Sequence, residues 1–168
     1  MEVRMTRVNR APARLSTWAA TGLALLAFGT SGFYSWFALP VAVLGLLVLV
    51  LGVSRGTPSS VSTGAFGLFL GSVVAGVDGA PTISVLVGVT CVVLAWDAGR
   101  NAISVGNHLG SEASTRRVEV VHLAGSFAVG AVTIGLGYGL FLAGPGAQSI
   151  SALVLLVIAA VLLVAALD

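Results

Sequence analysis

Trp36–Arg55 reads WFALPVAVLGLLVLVLGVSR: an amphipathic aromatic opens it, no charge occurs from Phe37 to Ser54, and an arginine closes it. An α-helix rises about 1.5 Å per residue and a bilayer's hydrocarbon core is about 30 Å thick, so this is the length of one membrane crossing. Tyr34 and Trp36 fall at the depth where amphipathic rings settle. Pro40 stands in the first turn, where its missing N–H has no intrahelical partner to lose.

The same pattern repeats outward in both directions. Apolar runs recur at about 15–30, 36–53, 61–77, 82–105, 118–142 and 150–167, which predicts an all-α, polytopic transmembrane bundle of six spans in one domain. Composition agrees, with 57% hydrophobic residues, 8% charged residues and a mean hydropathy of +1.07, too little polar surface to solvate a globule of 168 residues. No residues are left over for a separate soluble catalytic domain.

All eight basic residues are arginines, and they segregate. Arg4, Arg7, Arg10 and Arg14 precede the first apolar run, Arg55 follows the second, and Arg100, Arg116 and Arg117 lie between the fourth and fifth. The turns around Gly32, Gly79 and Gly146 carry none. Arginine in short loops resists translocation, so this alternation predicts both termini on the cytoplasmic side of the plasma membrane. The basic start followed by Leu15–Phe28 has the look of a signal peptide, but the later arginines alternate correctly only if that segment is retained.

The formal charge of +2 does not point to nucleic acid, because the arginines are dispersed beside apolar spans and suit anionic membrane lipid. Cys91 stands alone in the fourth apolar run and reads as a small core residue. Small residues mark two helix faces, Gly67, Gly71 and Ala75 in the third span and Ala131, Gly135 and Gly139 in the fifth, and these two faces are expected to meet, in the same chain or across an oligomer.

The polar residues concentrate in Trp96–Ser126, WDAGRNAISVGNHLGSEASTRRVEVVHLAGS. The fourth helix is expected to run on past the membrane as an amphipathic extension ending near Gly110, with Asp97, Asn101, Ser104 and His108 along one face. An acid at the edge of hydrocarbon needs a partner, and Arg100 at i+3, Asn101 and then His122 are the expected partners of Asp97. Glu119 is expected to favour its helix N-terminus and to pair with Arg116 or Arg117, and His122 to bond Asp97, Ser126 or a carbonyl. Glu112 and Arg116 have the acid-first spacing of a solvated helical face.

Glu119 and His122 form an E-x-x-H step of the kind that ligates metals in helix bundles, but only one such step is present. A site of Asp97, His108, Glu119 and His122 is therefore a minor reading, and neither a metal nor a cofactor is expected. No phosphate-binding G-x-x-x-x-G-K-[ST], no H-E-x-x-H and no G-x-S-x-G element occurs.

The blocks WDAGRNAISVGNHLG and TRRVEVVHLAGSFAVG, in a chain with arginine and no lysine, resemble a haloarchaeal family of small six-span membrane proteins without an assigned function. The resemblance is carried by Trp96, Asp97, Gly106, Leu109, Gly110, Glu119 and His122, and departs from the family at Asn101, where an acid is usual. It implies a partner in a membrane assembly, since similar proteins are encoded beside MoxR-type ATPases and large surface proteins.

Every polar feature has a structural explanation, so the sequence favours a non-enzymatic membrane subunit or scaffold. It would dock another protein subunit, or a second copy, through the cytoplasmic segment 101–117. Ile103, Val105 and Leu109 would supply the apolar contact unless they pack on the bundle or on lipid, and Arg116 and Arg117 the charged rim. A small transporter or ion-coupled channel using Asp97 is the alternative, and a metal-dependent membrane enzyme the least favoured class.

Overall fold

The computed structural model describes residues 12–109 and 116–144 as five α-helices and no strand. These are α1 (Arg14–Gly32), α2 (Ala38–Arg55), α3 (Pro58–Val77), α4 (Thr82–Leu109) and α5 (Arg116–Ala143). The expected sixth span, 150–167, lies outside the described residues, so the structure shows five helices where the sequence predicts six.

Four of the five, α2 to α5, are long and apolar enough to cross a membrane. The first predicted span does form a helix, α1, but it is not among those four. Hydroxyls interrupt its apolar character and are satisfied by the helix's own backbone. Thr17 Oγ1 donates to the Ala13 carbonyl and Thr21 Oγ1 to that of Thr17, while Thr30 and Ser31 both donate to Ala27 O. Alanines on its other positions admit close neighbours, and α1 packs against all four of the other described helices. Ala20, Ala24 and Ala27 are fully buried there.

Short connections make consecutive helices antiparallel. Between α2 and α3 the reversal takes two residues: Gly56 adopts φ 67°, its N–H reaches Val53 O at 3.2 Å, and Thr57 N–H reaches Gly52 O at 2.8 Å. That is a Schellman closure, for which the left-handed residue is best a glycine. Pro58 then starts α3 at a position where no N–H is needed.

The small-residue expectation is corrected by this pair of helices. Gly67 and Gly71 face α2: a Cβ at Gly67 would meet Gly45 Cα at 2.9 Å, and one at Gly71 would meet Ala42 Cβ at 2.9 Å. A Cβ at Gly45 would stand 2.5 Å from Leu68 N, so the backbones of α2 and α3 are in direct contact. No contact joins α3 to α5 among the described residues, and nothing described lies within 4 Å of a Cβ built at Gly135 or Gly139. Small residues permit close approach by any neighbour, and the two-residue α2–α3 reversal makes that neighbour the adjacent helix.

The core is a cluster built from α1 to α4, with Leu49, Val53, Val61 and Leu68 almost fully buried and Cys91, Val92 and Ala95 completing it on α4. Along one edge, α5 is applied to α4 and α1. At one end, Ser31 and Ser72 share a hydrogen bond of 2.9 Å, and Ser35 donates to Asp78, joining the α1–α2 and α3–α4 turns. The opposite end gathers the described arginines, Arg14, Arg55, Arg100, Arg116 and Arg117, all exposed.

Candidate functional site

At the arginine-bearing end, α4 and α5 bring Asp97, His122 and Ser126 together. His122 and Ser126 are one turn apart on α5 and so present to the same strip of α4. Ser126 Oγ donates to Asp97 Oδ2 at 2.7 Å, and His122 Nε2 lies 2.9 Å from the same oxygen. The His122 contact is short, but it does not have the alignment of a hydrogen bond, so it is an electrostatic contact.

Arg100 is therefore not the principal partner of Asp97, as its i+3 position suggested. Its guanidinium carbon lies 5.4 Å from the Trp96 ring centroid, a cation–π contact one turn back on the same helix. The indole is held in turn by Trp96 Nε1 donating to Ser62 Oγ at 3.0 Å. Asn101 also turns away from Asp97, and its Nδ2 donates to Ser16 Oγ at 3.4 Å. Of the three expected partners, the third, His122, is the one beside the carboxylate.

Glu119 is 3% exposed and reaches across to α1. Oε2 accepts from the Ser16 backbone N–H at 2.8 Å and from Ser16 Oγ at 3.0 Å. Ser16 is in the first turn of α1, whose N-cap residue Ala13 offers no side-chain cap. A carboxylate from α5 thus satisfies an otherwise orphaned N-terminal amide of α1. The Ala13 N–H donates to Ala102 O at 2.9 Å, so the start of α1 is fastened to both α4 and α5. Ser16 was not anticipated from the sequence; its one signal is a hydroxyl in the first turn of a helix that lacks a capping residue.

Ile103 is 3% exposed within the core, so of the two expectations for it, docking a partner or packing on the bundle, the structure takes the second. Val105, at 9%, does likewise. Leu109 ends α4, Arg116 and Arg117 are exposed at the start of α5, and Glu112 lies outside the described residues. His108 is exposed, eleven positions or about 16 Å along α4 from Asp97. The imagined four-ligand set is not assembled, and among the described residues no three His, Cys, Asp or Glu side chains are grouped to hold a metal.

Two concavities meet at the Asp97–His122 contact. One is an apolar groove of about 650 Å³ between α4 and α5, running from Leu86 and Thr133 to Asp97 and His122. The other, about 440 Å³, opens at the arginine-bearing end and is bordered by Arg100, Asn101, Ser104, Asn107 and His108. Trp96, Asp97 and His122 line both.

A family model, described as a family of unknown function (DUF7519), matches residues 10–164. The chain belongs to the DUF7519 family. No curated protein and no solved structure matches it. The DUF7519 match takes in every described helix and both concavities, so the Asp97–His122–Ser126 cluster lies within the part of the chain that defines membership.

Proposed function

We propose that this DUF7519 chain is a non-enzymatic integral membrane subunit whose arginine-bearing end is the contact surface for a protein partner. In this reading the bundle has six spans, lies in the plasma membrane of an archaeal cell as the sequence resemblance implies, and turns both termini and the arginines to the cytoplasm. The observation that carries it is the sorting of charge at that end. Glu119 is buried against Ser16 and the half-buried Asp97 is engaged by Ser126 and His122, whereas Arg116 and Arg117 are exposed. An exposed cationic rim favours an acidic partner surface and speeds encounter with it.

The geometry at Ser126 supports a non-catalytic role. A serine nucleophile needs its hydroxyl directed to a base that is itself oriented by a third group, and here Ser126 donates to the carboxylate that His122 also contacts. With Ile103 in the core, the docking surface is more polar than the sequence alone suggested, and Arg116, Arg117, Asn107 and His108 form its accessible part. Charge reversal of Arg116 and Arg117 to Glu should deplete the proteins that copurify with the native chain while leaving its amount in the membrane unchanged. An identical set of copurifying proteins would contradict the docking role.

A second reading has its own observation: Asp97 and His122 border both concavities, which is where a proton-coupled path would place an acid and an imidazole. Reconstituted protein would then move protons or a coupled solute across vesicles, and Asp97→Asn would abolish it. Equal flux in empty and protein-bearing vesicles would remove this reading.

A further inference from the structure

We infer that the two concavities form a single amphipathic site for an anionic phospholipid, with the headgroup phosphate at the arginine-bearing end and one acyl chain along the α4–α5 groove. The inference rests on the chain being a membrane protein, and its site shares Asn107 and His108 with the proposed partner surface but not Arg116 and Arg117.

The polar concavity is rich in donors. Arg100, Asn101, Ser104, Asn107 and His108 border it, and Asp97 is the one acid among the described residues of its lining. Asp97 Oδ2 already accepts from Ser126 and is faced by His122, while Arg100 brings a guanidinium to the same lining. A phosphate diester accepts from guanidinium, amide, hydroxyl and imidazole groups alike. Basic pockets between membrane helices at the cytoplasmic face are the usual seats of anionic headgroups.

The apolar groove begins where that concavity ends. Leu86, Val89, Val93 and Leu94 of α4 and Val121 and Val129 of α5 line it. From Leu86 to Trp96 the helix advances about 15 Å, which matches the hydrocarbon depth of one leaflet, about half of 30 Å. Trp96 borders both spaces, at the level where an indole marks the boundary of hydrocarbon and headgroup. Its bond to Ser62 fixes the ring, and the ring in turn carries the Arg100 guanidinium at that boundary. A soluble anion would have use for the polar part alone, whereas a phospholipid matches the polar part, the apolar part and their order along the membrane normal.

The test uses the purified full-length chain and native mass spectrometry, comparing retention of phosphatidylglycerol with that of phosphatidylcholine, and with glycerol 3-phosphate as the soluble headgroup. Phosphatidylglycerol should be retained about fivefold or more over phosphatidylcholine, and Arg100→Gln should remove about that factor while Arg100→Lys keeps most of it, the effect of one basic charge near an anionic surface. Gly125 lines the groove and has nothing described within 4 Å of a built Cβ, so Gly125→Leu should fill the groove and lower phosphatidylglycerol retention without unfolding the chain. Equal retention of the two lipids would overturn headgroup recognition. Glycerol 3-phosphate binding as well as phosphatidylglycerol would make this a site for soluble phosphate and overturn the lipid. Retention indifferent to both Arg100→Gln and Gly125→Leu would mean that the groove holds another segment of the chain or a second copy, which overturns the proposal. These outcomes leave the Arg116–Arg117 partner test untouched, so failure of one is distinguishable from failure of the other.

Discussion

The Glu119 carboxylate accepts hydrogen bonds from both the backbone N–H and the hydroxyl of Ser16, 103 positions earlier in the chain. One acid on α5 thereby completes the N-terminus of α1, the helix around which the other described helices are arranged. Glu119→Ala leaves a buried amide and hydroxyl without their acceptor, and should lower the stability of the detergent-solubilised protein by about 1–3 kcal/mol, read as a fall in the thermal midpoint. Glu119→Gln keeps an acceptor oxygen and should fall between the variant and the native chain.

The Asp97–Ser126 hydrogen bond and the exposure of Arg100 predict a difference between two double-mutant cycles. Asp97→Ala with Ser126→Ala should show a coupling of about 0.5–2 kcal/mol, the range for polar contacts between membrane helices. Asp97→Ala with Arg100→Ala should be additive, because Arg100 is turned to Trp96. Thermal unfolding of the three single and two double variants decides it, and the opposite pattern would restore Arg100 as the partner of Asp97.

Two glycines of similar sequence context should behave oppositely. A Cβ at Gly64 would run into the Leu49 backbone of α2, so Gly64→Ala must spread α2 from α3, at a cost of about 1–3 kcal/mol. Gly135→Ala places its methyl where nothing described lies within 4 Å, and should leave the thermal midpoint unchanged or slightly raised.

Much of this fold was legible in the sequence because membrane crossing is a length-and-polarity rule that needs no tertiary knowledge. Apolar runs placed α2 to α5 to within a few residues, and Gly56–Pro58 and Asp78–Pro81 announced their reversals. The register between helices was not legible. Gly67 and Gly71 met α2 instead of α5 because small residues specify closeness and not a partner. Asp97 illustrates the same limit from the polar side: an i+3 arginine is the nearest neighbour in sequence, but the Trp96 ring gave Arg100 a resting place and the packing of α5 gave Asp97 a serine and a histidine. Ser16 was missed because nothing local distinguishes a hydroxyl that accepts a distant helix's help from one bonded to its own carbonyls, as in Thr17 and Thr21. For Ile103 the sequence left docking and packing on the bundle both open, and packing follows because α1 begins beside that part of α4, as the Ala13–Ala102 bond shows.

The proposed orientation turns the arginine-bearing end to the cytoplasm and the Ser35–Asp78 end outward. Cys91 is the one native cysteine and can be replaced by alanine, after which Pro81→Cys and Arg116→Cys each present an exposed position at opposite ends of the bundle. A membrane-impermeant maleimide applied to intact cells should label the chain carrying Pro81→Cys and spare the one carrying Arg116→Cys until the membrane is opened. Labelling of Arg116→Cys, with Pro81→Cys protected, would contradict it.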